Sequence, residues 1–111
     1  MPQGGDLEAV LRSFSADVRY HIASTRIGNP VAIKANGISE LRSLLVLLIK
    51  TFSLINLTIR STTIDGANAT VHWRANVHSR ITGATVPTEL IDIVEVRDNF
   101  IVNFNEVFVP L

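Results

Sequence analysis

Two carboxylates in the last third of the chain, Asp92 and Glu106, are spaced so that they could do acid–base chemistry together. They lie in the stretch from Thr88 to Pro110, TELIDIVEVRDNFIVNFNEVFVP, which reads as two strands on either side of Arg97-Asp98-Asn99. Asn readily takes the left-handed conformation that a three-residue hairpin turn requires. With that turn Val96 faces Phe100, Val94 faces Val102, Asp92 faces Phe104 and Leu90 faces Glu106. Strand side chains alternate faces, so Leu90, Asp92, Val94, Val96, Phe100, Val102, Phe104, Glu106 and Phe108 share one side. That side is apolar apart from the two acids, and a buried carboxylate is costly unless paired or protonated. A two-residue turn at Asp98-Asn99 would instead put Glu106 with Ile91 and Ile93. The three-residue turn is preferred because it gathers the valines and phenylalanines on one face, and register follows the hydrophobic pattern.

In this register the acids are diagonal neighbours on adjacent strands, roughly 7–8 Å apart. Burial and mutual repulsion make it hard for both to ionise. Asp92, in mid-strand, is expected to be the deeper acid and to keep its proton as a hydrogen-bond donor. Glu106, nearer a strand end, is expected to stay ionised and to serve as general base. Tyr20, Trp73, Val94, Val102 and Phe104 are expected to line the pocket around them. Such chemistry calls for no cofactor.

The elements that must position these residues are legible in outline. Asp6 caps a short helix from Leu7 to about Phe14. Asp17 to Ile22 alternates like a half-buried strand, and the segment from Ser24 to Gly37 is mostly loop around Gly28-Asn29-Pro30, with a short extended piece at Val31-Ala32-Ile33. Ser39 caps the main helix, Glu40 to about Phe52, whose apolar stripe is Leu41, Leu44, Leu45, Leu48 and Phe52. Strands follow at Leu57 to Ile64 and Ala69 to about Arg80, divided by the turn Asp65-Gly66-Ala67-Asn68. A turn near Thr82-Gly83, with Ile81 paired to Ala84, sets Trp73 opposite Asp92, where the carboxylate would accept from the indole N–H. The order predicts a single α+β domain over residues 1–111, with helices packed on one face of a curved antiparallel sheet.

Composition narrows the functions available. Ten basic and ten acidic residues cancel, which leaves no electrostatic footprint for nucleic acid or an anionic membrane. There is no cysteine, so disulfides and thiolate metal sites are excluded. The longest apolar run, Leu44 to Ile49, is far short of the roughly 20 residues of a membrane span, and the start lacks signal-peptide character. A cytoplasmic protein is expected. His72 and His78, six residues apart on one strand, would be about 20 Å apart, too far to share a metal, so no metal site is expected.

Four stretches in this order, DVRYH from Asp17, GISELR from Gly37, IDGANATV from Ile64 and DIVEVRDNFI from Asp92, resemble the SnoaL-like families of the nuclear-transport-factor-2-like superfamily. The resemblance implies a cystatin-like cone with an apolar cavity in its mouth, and relatives among ketosteroid isomerases and limonene-epoxide hydrolases. It places Asp92 where the isomerases hold a protonated Asp, Glu106 at an acid–base Asp of the hydrolases and cyclases, and Tyr20 at the hydrolases' water-positioning Tyr. Their Arg and Asp pair falls on Arg74 and Asn76, which the pairing count puts outside the cone. Ile22 stands where the isomerases keep their base, and the helix that carries their catalytic Tyr has no counterpart in the sequence.

Two functions therefore stay open. One is a non-catalytic domain whose cavity binds a small hydrophobic molecule. The other is a cofactor-independent isomerase, cyclase or epoxide hydrolase using Asp92 and Glu106. A homodimer through the outer sheet face, carrying Ile91, Ile93, Ile101 and Val107, is expected in either case.

Overall fold

The leucine stripe of the long helix sets the layout of the molecule. In this computed structural model residues 7–24 and 31–111 are described, so the Asp6 cap and the Gly28-Asn29-Pro30 turn lie outside the described residues. A short helix α1 (Leu7–Leu11) leads into β1 (Phe14–Ser24), followed by β2 (Val31–Asn36), the long helix α2 (Ile38–Thr51), β3 (Phe52–Asp65), β4 (Asn68–Ser79), β5 (Thr85–Arg97) and β6 (Phe100–Pro110). Leu41, Leu44, Leu45 and Leu48 recur at the spacing of one helical face, and all four are buried.

Helix α2 starts two residues before the expected point, and Ser39 is not its cap. Gly37 takes that place with φ 85 and ψ 163, a conformation open to glycine and strained for other residues. Its N–H donates to the Val18 carbonyl at 2.7 Å, tying the helix start to β1, while the Glu40 carboxylate accepts from the Asn36 N–H at 3.0 Å. At the other end Phe52 is already extended, so α2 runs into β3 without a loop. Strand β3 therefore begins five residues ahead of the expected Leu57, and it carries a bulge with Asn56 at φ 55. Helix α1 is shorter than expected, because Phe14 already belongs to β1.

The six strands lie in the order β2-β1-β6-β5-β4-β3. The last four form the expected antiparallel meander. β1 and β6, however, run parallel, so the sheet is mixed rather than wholly antiparallel. Parallel neighbours need a crossover, and here the whole chain between β1 and β6 supplies it. Periodicity within either strand carries no trace of that pairing.

Both helices pack on the concave face of this curved, open sheet, giving an α+β cone. The core joins the α2 leucines to Leu11 of α1, Phe14, Val18, Tyr20 and Ile22 of β1, and Ala35 of β2, with Ile101, Phe104 and Phe108 of β6 packed against them. No residue of β3, β4 or β5 belongs to that cluster.

Candidate functional site

The β5–β6 hairpin brings the two acids together by a different route from the expected one. Asp98 and Asn99 both have positive φ, 54 and 68, and Arg97 pairs with Phe100, so the turn has two residues. Alone, that turn would send Glu106 to the opposite face from Asp92. A β-bulge reverses the outcome. Val96 pairs with Ile101 and Glu95 with Asn103, which leaves Val102 as the extra residue. Beyond the bulge Val94 faces Phe104, Asp92 faces Glu106, Ile91 faces Val107 and Leu90 faces Phe108. The acids are thus direct cross-strand partners, about 4.5–5.5 Å apart at Cβ by the geometry of such pairs, and closer than the expected diagonal.

The two-residue turn displaces Phe100, Ile101 and Val102 from their expected faces before the bulge restores the rest; Phe100, expected beside Val96, pairs with Arg97 instead. Ile101, expected on the outer face, packs against the core. Val102, expected in the pocket, lines a shallow cleft of about 230 Å³ with Asp17, Arg19, Arg97 and Asn103, away from the acids.

The strands around the pair complete the surface. Parallel pairing sets Ile22 beside Glu106 and Tyr20 beside Phe104. The Tyr20 and Phe104 rings stack at 4.8 Å and 1°, and Phe14 meets Tyr20 edge-on at 6.3 Å. On the other flank Asp92 faces Val71 and Trp73 faces Leu90, two residues along from the expected Trp73–Asp92 pairing. The reason lies in the β4–β5 loop: Ile81 and Ala84 do not pair, the Ser79 N–H donates to the Ala84 carbonyl, and the ladder begins at His78 and Thr85. One row across the concave face thus reads Ile22, Glu106, Asp92, Val71.

The depth of the two acids is the reverse of expectation. Glu106 is 2% exposed and Asp92 9%. Ile22 and the helical layer cover the Glu106 side. Beyond Asp92, by contrast, its partner Val71 is only half-buried, and the buried apolar residues of β4 and β5, Ala75 and Leu90, stand outside the helical core cluster. Burial, then a hydrogen bond shared with Asp92, then the charge of Asp92 push the Glu106 carboxyl well above the usual range. Burial, followed by the two acids' charges, likewise raises the Tyr20 phenol. Two carboxyls so placed resist carrying two charges, and the deeper Glu106 is the harder to ionise. Oε1 of Glu106, Oδ1 of Asp92 and the Trp73 indole nitrogen are all buried without a hydrogen-bond partner. Buried polar groups in folded proteins nearly always have one.

Every described lysine and arginine is exposed, and among the described residues none forms an ion pair with Asp92 or Glu106. His72 and His78 alternate with Val71 and Trp73 and so lie on the outer face, where His72 Nε2 meets Glu89 at 2.8 Å and His78 Nδ1 meets Thr85 at 2.9 Å. Arg74 and Asn76 share that outer face, Arg74 opposite Glu89, as the pairing count had them. No group of three or more described His, Asp or Glu residues could hold a metal ion. The arrangement can bind a polar group at the floor of an apolar surface, and can exchange a proton there. Sequence reasoning missed Ile22 and Val71 as the immediate neighbours of the acids, because cross-strand partners follow from bulges and crossovers that single-strand periodicity does not report.

A curved sheet with helices on its concave face is the cone fold that the solved structures below share. Within it the chain belongs to the SnoaL-like domain family, whose model matches residues 3–104. Three solved structures illustrate the likeness. A proposed SnoaL-like polyketide cyclase from Jannaschia sp. CCS1 has a TM-score of 0.79 at 15% identity, covering 96% of this chain and 74% of its own. A proposed isomerase from Bacillus subtilis scores 0.77 at 15% identity, with 93% and 74% covered. An LEH-like epoxide hydrolase from M. tuberculosis scores 0.70 at 18% identity, with 96% and 72% covered. At such identities the likeness is one of fold. No curated protein matches the sequence. No described helix is long and apolar enough to cross a membrane.

Proposed function

We propose that the protein binds a small, largely apolar molecule on its concave face and holds that molecule's polar group at Asp92 and Glu106. The observation that carries this reading is the set of unpartnered buried atoms on one apolar face, Trp73 Nε1, Asp92 Oδ1 and Glu106 Oε1. Tyr20, Phe104, Val94 and Trp73 would line the apolar part of the site; Val102 would not. A thermal-shift screen of small hydrophobic molecules tests it. Ligands with a hydrogen-bonding group are expected to raise the melting temperature, and Asp92→Asn to weaken the effect. A screen in which no such molecule shifts the melting curve would overturn the reading.

The second reading is catalysis, favoured by the direct pairing of two buried carboxyls of unequal depth. The expected roles then exchange: Glu106 donates the proton and Asp92 is the base, acting without a cofactor in an isomerisation, cyclisation or epoxide opening. Any ligand found should be assayed for turnover. Conversion that survives Glu106→Gln undiminished would count against this assignment.

The proposal includes a second copy of the chain on the outer sheet face. Ile91, Ile93 and Val107 lie together there, Ile91 opposite Val107, and Ile93 is 44% exposed. Ile101 is withdrawn from the patch because it faces the core. Sedimentation at micromolar concentration is expected to show twice the 12.2 kDa of one chain, and Ile93→Glu to halve it.

A further inference from the structure

We infer that the concave site selects a protonated amine carried on an apolar body, over a neutral or anionic molecule of the same shape. The inference rests on the binding function proposed above and adds the ligand's charge. Asp92 and Glu106 are direct cross-strand partners, each at least nine-tenths buried. The residues beside them across the sheet are Ile22 and Val71, and their diagonal neighbours include Leu90, Val94 and Trp73. Arg19, Lys34, Arg74 and Arg97 alternate onto the other side with His21, His72 and His78, and no described lysine or arginine is buried. Two carboxyls so placed can share one proton, which leaves one negative charge in a poorly solvated site.

Consider what each class of polar group does there. An ammonium group compensates the charge and supplies N–H donors for both unpartnered oxygens, Asp92 Oδ1 and Glu106 Oε1. An alcohol supplies one donor and leaves the charge unbalanced. A carboxylate adds a like charge to the acids and is repelled. The half-buried Trp73 and Val94 on the same face suit an apolar body, and the indole ring beside a cation adds attraction. Selection thus comes from charge balance, with shape as a secondary factor.

The test uses three molecules on one skeleton, cyclohexylmethylamine, cyclohexylmethanol and cyclohexanecarboxylate, with the intact chain near pH 7. Trp73 is the single tryptophan, so its fluorescence reports occupancy of the concave face directly. The amine is expected to bind at least about tenfold more tightly than the alcohol, as a charge-assisted hydrogen bond allows, and the carboxylate most weakly. Raising the pH past the amine's own pKa should remove its advantage and leave the alcohol's affinity little changed. Asp92→Asn should do the same at pH 7. Equal or tighter binding of the alcohol or carboxylate would overturn the charge selection while leaving the apolar site standing. Failure of all three to perturb Trp73 or to raise the melting temperature would overturn the site itself, and this inference with it.

Discussion

The two halves of the sheet are built to different standards. On the β1–β2–β6 side, α2 lays Leu41, Leu44, Leu45 and Leu48 over Val18, Tyr20, Ile22 and Phe104, and the core cluster is continuous. On the β3–β4 side there is no such layer. β3 has 14 residues, yet Ile59 is 58% and Ile64 75% exposed, although both lie on the concave side through their pairing with Trp73 and Ala69. The acids stand on the boundary, Glu106 on the closed half and Asp92 on the strand that opens outward. One half supplies most of the packed core, and the other leaves apolar surface exposed to solvent. That boundary also explains the unequal depth of two acids that are direct partners: the closed half desolvates Glu106 first.

The largest expected effect breaks the comparison into its two halves. Leu41→Ala removes a side chain with no exposure from the helical layer, and should cost about 2–5 kcal/mol, the range for large cavities in a packed core. Ile64→Ala on the open half should cost less than about 0.5 kcal/mol, as surface changes usually do. Urea unfolding of both variants checks the contrast. Similar losses would mean that both halves are buried to the same degree in solution, and the open half would then be no place for a ligand.

How much of this could be read from the sequence differs between the halves too. The α2 leucines, the four-strand meander and the class of fold were legible, because helical and strand periodicities are local properties. Phe52, expected to complete the stripe, instead begins β3 and is exposed. The family resemblance reached the same fold independently. That Asp92 and Glu106 share one face was anticipated, but as diagonal neighbours and through a three-residue turn. The protein uses a two-residue turn and a bulge at Val102, and each shifts the facing by one residue, so the two departures cancel for Glu106. They do not cancel for Phe100, Ile101 and Val102, which lie between the turn and the end of the bulge. Trp73 was displaced for a similar reason, since the length of the loop after Ser79 sets the whole β4–β5 register. Depth was the least legible quantity. Position along a strand says nothing about which neighbouring strand carries the helical cover, and that cover reaches Glu106 through the parallel β1–β6 pair.

A smaller effect sharpens the boundary, because it isolates the one ionisable group that the closed half desolvates most. The Glu106 carboxyl is held above its ordinary value mainly by burial, so between the unfolded value, about 4.3, and its folded value the native state binds more protons than the unfolded chain. Stability from this group is therefore fully present below pH 4, and is lost as pH rises through that interval, at no more than about 1.4 kcal/mol per pH unit for a single proton. Glu106→Gln keeps the shape and removes the ionisation. Near pH 4 the variant and the parent should unfold at similar temperatures. Toward pH 8 the variant should gain on the parent, by about 4–8 °C for each kcal/mol in a domain of this size. Melting curves collected from pH 4 to pH 8 on both proteins give the difference directly. A difference that does not change across that range would mean that Glu106 ionises in the fold as it does in the unfolded chain, and that the helical cover does not reach it. A difference that grows with pH, and that a bound amine shrinks in the parent, would locate both the buried charge and its remedy at the same pair of strands.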